Sequence, residues 1–198
     1  MSNSISVKIN PQFSTGLLKV SHCSGFPPII PKTPKILILG TMPSVVSIEE
    51  AFYYAHPRNA FWPMIASLLN NSEFQVGGVD QTAKSLNTVK EKKEACNILG
   101  IYLWDVLQAC ERKGSLDSEI KLPQANDFSL VFREYPSIKT VAFNGQAAQK
   151  LFKKEVLKLQ DLPDDLTYIT LPSTSPAYAA ITLEDKRLFW QEKLSDLL

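Results

Sequence analysis

Three short apolar runs bounded by proline or glycine constrain the fold of this chain more than any other feature. They read KILILG at 35–40, KTVAFNG at 139–145 and LTYITLP at 166–172. Continuous apolar runs of this length are typical of strands that are buried on both faces, as in parallel sheets. The sequence therefore predicts three buried strands.

Segments with helix-boundary residues alternate with these strands. Pro57 disfavours a helix just before it, and Asn59 is a suitable N-cap for a helix that runs to about Leu69. Residues 70–83 are polar and fit a loop, whereas residues 101–111 fit a short strand that leads into a helix. Further helices are predicted at 84–99 ending near Gly100, at 126–136 capped by Asn126 or Asp127, at 145–154, and at 182–198 capped by Thr182.

This alternation predicts an α/β sandwich around a largely parallel sheet. A length of 198 residues is that of one domain, which we assign to residues 34–198. The proline-rich residues 1–33 form an N-terminal lead-in. Parallel sheets bind ligands outside the carboxyl ends of their strands. The candidate site therefore consists of the loops TMPS, NG and PSTSPAY, which follow the three strands.

The composition excludes several classes of protein. Lys and Arg number 21 against 20 Asp and Glu, a net charge of +1, so the chain lacks an overall basic signature of nucleic-acid binding. Three cysteines without a CxxC predict free thiols and no metal cluster. We find no apolar run that could span a membrane and no signal peptide. We expect a protein that is not secreted.

The densest group of aromatic and hydrogen-bonding side chains is FYYAHPRNAFW at 52–62. Such a group suits a flat polar ligand, because a ring stacks on its face while an amide contacts its edge. Phe61 and Trp62 fit the core side of the helix that follows. For Tyr53, Tyr54 and Asn59, a binding role and a structural role agree equally well with the pattern.

Five segments in order, ILILGTMPS, FYYAHPRNAFW, LWDVLQACERKGSLDSEIK, VAFNGQAA and LPSTSPA, resemble the uracil-DNA glycosylase superfamily. The resemblance covers roughly residues 35–195 and is closest to the hypoxanthine-DNA (deoxyinosine) glycosylase family, the sixth family. It implies a three-layer α/β/α sandwich with a central, mainly parallel sheet. It also implies an enzyme of base excision repair that flips a deaminated base out of DNA and hydrolyses its N-glycosidic bond, without metal or cofactor. Hypoxanthine is the expected base, with uracil as a second candidate.

The resemblance also implies a catalytic residue. Most relatives carry an Asp or Asn that positions water in the loop after the first strand, but here that loop reads GTMPS, and Met42 cannot do this. The hypoxanthine branch relies instead on the Asn of its HPxN segment, which matches Asn59. An amide suffices because an oxocarbenium-like transition state needs water to be placed more than deprotonated.

The remaining roles are also implied by the resemblance. The residues expected to contact the flipped base are Gly40, Met42, Phe52, Tyr53, Tyr54 and Asn144. The residues expected to hold the DNA are Arg58, Ser173, Thr174, Ser175, Pro176 and Tyr178. Relatives usually have Asn at position 178, so the wedge role of that position stays open. Arg112 and Lys113 are further candidates for phosphate contacts. Asp105 either faces the pocket or caps a helix, and we prefer the helix cap.

Two other functions compete with this interpretation. Met42 favours a catalytically weakened module of the same fold that binds DNA or a nucleotide, whereas Asn59 in its HPRN context favours the enzyme. A hydrolase of small esters or phosphoesters is disfavoured, because the chain has no GxSxG elbow and no cluster of metal ligands. P-loop and dinucleotide motifs are also missing. The expected partner is DNA containing deaminated bases, and we expect a monomer because one protein engages one flipped base.

Overall fold

The computed structural model describes residues 21–71 and 86–198. Most of the predicted loop at 70–83 and most of the predicted lead-in at 1–33 lie outside these residues. The strands of the described part are β1 (Ser21–Ser24), β2 (Ile36–Gly40), β3 (Ile101–Asp105), β4 (Leu107–Arg112), β5 (Lys121–Ala125), β6 (Thr140–Asn144) and β7 (Thr167–Leu171). Its α-helices are α1 (Val45–Glu49), α2 (Phe61–Asn71), α3 (Val89–Leu99), α4 (Phe128–Glu134), α5 (Gln146–Glu155) and α6 (Leu183–Leu194).

A four-stranded parallel sheet in the order β3–β2–β6–β7 forms the centre of the molecule. All five residues of β2 are buried, and alternate side chains point to opposite faces of a strand. Ile36 and Ile38 pack into a core with residues of α2, α3 and α6. Leu37 and Leu39 pack into a second core with residues of α4 and α5. Helices therefore cover both faces, which confirms the three-layer α/β/α sandwich.

The helix-boundary predictions hold at several positions. Gly100 ends α3 with a φ of 68°, and its N–H donates to the carbonyls of Asn97 and Cys96. Asp127, rather than Asn126, caps α4. Thr182 caps α6 by accepting a hydrogen bond from the N–H of Asp185. Helix α2 begins at Phe61, one residue later than an N-cap at Asn59 predicts.

Residues 101–111 do not lead into a helix, which corrects the prediction. The N–H groups of Val106 and Leu107 donate to the carbonyls of Gly40 and Thr41, and the chain continues as β4. This strand pairs with β1 and β5 in a three-stranded antiparallel sheet. Asp105 is consequently the last residue of β3 and not a helix cap.

Three short elements were not predicted. They are β1, which lies in the predicted lead-in, α1, which lies in the predicted polar loop, and β5. Ser44 caps α1 by accepting a hydrogen bond from the N–H of Ser47. This short helix sets the path of the chain between the end of β2 and the aromatic segment at 52–62.

Candidate active site

A cavity of about 110 Å³ lies beyond the carboxyl ends of β2, β3 and β6. A cavity of roughly 150 Å³ holds a benzene molecule, so the volume of this one is on the scale of a small planar ring. The predicted site residues that line it are Gly40, Met42, Tyr53, Tyr54, Asn59, Asn144, Ser173 and Ser175. Thr41, Asp105, Ser115 and Asp117 line it as well. Phe52, Arg58, Thr174, Pro176 and Tyr178 are outside the lining.

Gly40 allows two polar groups to meet at the floor of the cavity. A Cβ at this position would lie 2.3 Å from Oδ1 of Asp105 and 2.7 Å from the hydroxyl oxygen of Tyr54. Both separations are shorter than any real contact of a Cβ, and Asp105 is the residue paired with Gly40 across the β2–β3 ladder. The close approach therefore requires glycine here.

Tyr54 has its ring fixed beside the cavity. Its φ is 52°, a left-handed conformation that is uncommon for an aromatic residue. The ring stacks on that of Phe61, with centroids 3.9 Å apart and planes inclined by 14°. Burial raises the pKa of Tyr54, so its hydroxyl stays neutral at physiological pH. Phe61 and Trp62 belong to the buried core, as the sequence indicated.

The two preceding aromatic residues are core residues by their contacts. Tyr53 is 3% exposed, and its hydroxyl donates to the carbonyls of Phe26 and Pro27 at 3.2 and 3.0 Å. Phe52 stacks on Trp62 at a centroid distance of 5.6 Å. Of the three adjacent aromatic residues, Tyr54 is the one whose ring position and hydroxyl direction suit contact with a flat ligand.

Asn59 lies at the rim of the cavity, immediately before α2. Its side-chain oxygen accepts a hydrogen bond from the N–H of Phe61 at 3.0 Å. The N–H of the next residue, Ala60, donates to the carbonyl of Thr174 at 3.0 Å, which ties this segment to the loop after β7. An amide oxygen has two lone pairs, so Asn59 is held in place and keeps capacity to hold a water molecule.

Asn144, the last residue of β6, clamps the loop after β7. Its side-chain oxygen accepts from the N–H of Thr174 at 2.9 Å, and its amino group donates to the Thr174 hydroxyl at 2.8 Å. Thr174 is 1% exposed, so its hydroxyl is already engaged with Asn144. Ser173 and Ser175, on either side, line the cavity.

Several predicted DNA contacts lie on the surface around the cavity. Arg58 and Pro176 are exposed, and Tyr178 lies above a buried lysine. The Nζ of that lysine, Lys186, donates to the Tyr178 carbonyl at 2.6 Å and lies 5.0 Å from the centre of its ring. Arg112 is 1% exposed and donates to the carbonyl of Pro43. Its proposed contact with phosphate is therefore wrong, because the guanidinium is inside the protein.

Asp105 lines the cavity, so of the two positions that the sequence allowed for it, the pocket is correct and the preferred helix cap is wrong. Its carboxyl group is buried, and Oδ2 has no hydrogen-bond partner within the described residues. Desolvation raises the pKa of Asp105 to about 7; the negative charge of Asp117 adds to the increase, and Arg112 opposes it. With Asp117 in the same cavity, two carboxyl groups lie in one site, although the sequence showed no such pair.

The described residues contain no group of three or more His, Cys, Asp or Glu side chains that could hold a metal ion. His22 and Cys23 lie in β1. No helix within 21–71 or 86–198 is long and apolar enough to cross a membrane.

Asp105→Asn is expected to stabilise the protein in a pH-dependent manner. The folded-state pKa lies above the ordinary value of an aspartate, near 4, so the wild type loses stability as the pH rises from about 4 to about 7. Asn carries no charge, and the two proteins should differ by at most ~4 kcal/mol above pH 7. Urea unfolding at several pH values measures this, with the exposed Asp161→Asn as control. A constant difference across this pH range would contradict the assignment.

Comparisons with known proteins identify the family. The sequence model of the family described as "Uracil DNA glycosylase superfamily" matches residues 27–197. A protein of Methanosarcina barkeri named hypoxanthine DNA glycosylase is 38% identical over 122 residues, 62% of this chain and 70% of that protein. A protein of the same name from Methanosarcina acetivorans is 35% identical over 124 residues, 63% of this chain and 72% of that protein.

A solved structure agrees with these matches. The solution NMR structure of a Methanosarcina acetivorans protein that carries the name uracil DNA glycosylase superimposes with a TM-score of 0.70 and 26% identity. The match covers 89% of this chain and 99% of that one. By sequence and by fold, the chain belongs to the uracil DNA glycosylase superfamily.

Proposed function

We propose that this protein is a DNA N-glycosylase that removes hypoxanthine from DNA and leaves an abasic site for base excision repair. The observation that carries the proposal is the position of Asn59. It lies in the HPRN segment at the rim of a ring-sized cavity that Met42 also lines. The relatives that share at least 35% identity with the chain bear the name of this activity.

In this proposal, different residues contact the base and the sugar of a flipped nucleotide. The base enters the cavity beside Tyr54, and the sugar stays near the rim, where Asn59 places a water molecule against C1′. As the bond between C1′ and the base breaks, positive charge develops on the sugar, so a placed water needs little deprotonation before it attacks. Met42 contributes no polar group to this step.

Binding of the DNA depends on local contacts, because the net charge is only +1. Arg58 and the serines of the loop after β7 are the groups that we propose contact phosphates. So few cationic contacts should make binding weak and its salt dependence shallow, because that dependence grows with the number of phosphates neutralised. Flipping costs least for a mispaired base, so deaminated bases in mispairs are favoured substrates. Uracil is a second candidate base, since its single ring is smaller than the fused rings of hypoxanthine.

Asn59→Ala is expected to abolish cleavage while DNA binding is retained. Loss of water placement should slow the reaction by about 100-fold or more. Labelled duplexes that each carry one hypoxanthine, uracil, xanthine or thymine are incubated with enzyme, and abasic sites are then cleaved with alkali. Gln124→Ala, which removes an exposed amide on β5, is the control that should cleave normally.

The same panel separates the enzyme from the alternative function. If the wild type binds duplexes but cleaves none of them, the protein is a binding module of this fold and the proposal fails. If Asn59→Ala cleaves as fast as the wild type, the enzyme stands but Asn59 is not its catalytic residue.

Tyr178→Ala is expected to slow cleavage of duplex DNA on the order of tenfold and to affect single-stranded DNA little. We propose that this exposed ring, supported from below by Lys186, fills the gap that a flipped base leaves in a duplex, where the flipping cost is greatest. Tyr178→Phe, which keeps the ring, should behave as the wild type. Single-turnover rates on the two substrates give the comparison, and equal losses on both would contradict a wedge role.

We propose that the protein acts as a monomer, because one flipped base engages one cavity. Light scattering should give the mass of a single chain, and a stable dimer would contradict this. The proposed substrate implies a location with the DNA, in the cytoplasm of a bacterium or the nucleus of a eukaryote.

A further inference from the structure

One buried polar atom beside the cavity, Oδ2 of Asp105, lacks a hydrogen-bond partner within the described residues. The hydroxyl group of Tyr54 is buried as well, and the side chain of Asn144 is within its hydrogen-bonding reach. Buried polar atoms in native proteins nearly always have a partner, and an exception calls for an explanation. Both side chains line the one cavity that also holds Asn59. We expect a ligand that enters this cavity to supply the missing hydrogen bond.

The backbone of Asp105 is fixed beside the cavity. Its backbone carbonyl accepts a hydrogen bond from the side chain of Asn126 at 2.8 Å, and the next residue, Val106, donates to the carbonyl of Gly40 at 2.9 Å. Oδ1 and the Tyr54 hydroxyl occupy the space that a Cβ of Gly40 would take. The carboxyl group is therefore buried at the edge of the cavity that Asp105 lines.

The surroundings of Asp105 favour its neutral form. Asp117, from the turn after β4, carries a negative charge that disfavours a second one, whereas Arg112 on β4 favours ionisation. The hydroxyls of Tyr53 and Tyr54 are buried, which raises the pKa of both, so they remain uncharged. Desolvation outweighs the other influences on Asp105. Near neutral pH, a substantial fraction of the molecules holds a carboxylic acid at this point.

We propose that Asp105, as a neutral carboxylic acid, donates its proton to the departing base, while the Tyr54 hydroxyl makes a second hydrogen bond to that base. This proposal rests on the proposed glycosylase function. It adds a catalytic residue on the base side of the bond, opposite the water that Asn59 places on the sugar side. A general acid of this kind typically accelerates a reaction by about 100- to 10,000-fold.

The step balances without any further reactant. The bond between C1′ and the base nitrogen breaks, and its electron pair goes to the base. The O–H proton of Asp105 moves to an acceptor on the base; in hypoxanthine, O6 and N7 are acceptors on the edge away from the sugar. Water adds its oxygen to C1′ and releases a proton, which restores the acid. One water molecule is consumed, and the free base and an abasic sugar are formed.

A role of Asp105 as general base would give the opposite pH dependence of the rate. If Asp105 acted as a base on the water and so replaced the residue missing at Met42, its ionised form would be active and the rate would rise with pH through about 7. If it acts as the acid, the rate should fall as the pH rises through the same region. The pH dependence therefore decides between the two roles.

The experiment is a single-turnover rate measurement on a hypoxanthine duplex between about pH 5 and 9. The wild-type rate should fall about tenfold for each pH unit above the pKa of Asp105. Asp105→Asn, which preserves the shape, should be at least about 100-fold slower near pH 6 and should lack this decline. Binding of the same duplex, measured by anisotropy, should be nearly unchanged.

Asp117→Asn provides a second test that does not depend on the folding of the first variant. Removal of its charge should lower the pKa of Asp105, and the decline in rate should begin at a lower pH. If Asp105 had a purely structural role, Asp117→Asn would not change the pH at which the rate begins to decline. The proposal is overturned if Asp105→Asn keeps the decline, if Asp117→Asn leaves it in place, or if the wild-type rate rises through pH 7. A wild type that cleaves no duplex at any pH would instead overturn the glycosylase function itself.

Discussion

The contact of Gly40 with Asp105 and Tyr54 is the constraint on which the site depends. Parallel pairing of β2 and β3 sets Gly40 and Asp105 side by side at the end of the sheet. Because Gly40 has no side chain, a carboxyl group and a phenol can occupy the space where a Cβ would be. Strand β3 thus positions the Asp105 carboxyl group at the floor of the cavity, and the segment between α1 and α2 positions the Tyr54 hydroxyl beside it.

This arrangement has a cost in stability that the rest of the fold offsets. A buried polar atom without a partner costs roughly 1–3 kcal/mol, and the left-handed backbone at Tyr54 costs of the same order. The stack of Tyr54 on Phe61 and the fully buried strand β2 hold the two groups where they are. Such local conflicts are expected where structure serves chemistry rather than stability.

The sequence predicted the parts of this structure that follow from local pattern. Buried strands, capped helix ends and the convergence of three loops all depend on residues close in the chain, and Asn59 was found through its HPRN context. For Asp105 the helix cap was preferred over the pocket, because a period that fits both strand and helix left residues 101–111 ambiguous. The burial of Arg112 depends on the pairing of β4 with β1 and β5, which no local pattern showed.

The chain is a DNA N-glycosylase of the uracil DNA glycosylase superfamily, and our account of it depends on a carboxyl group that is neutral near physiological pH. The most direct test is a carbon-13 NMR titration of the Asp105 side-chain carboxyl in the free protein. We predict a midpoint near the pKa of about 7 that its burial imposes. A midpoint near 4, the ordinary range of an aspartate, would show that the group is ionised when the substrate binds and would contradict the account.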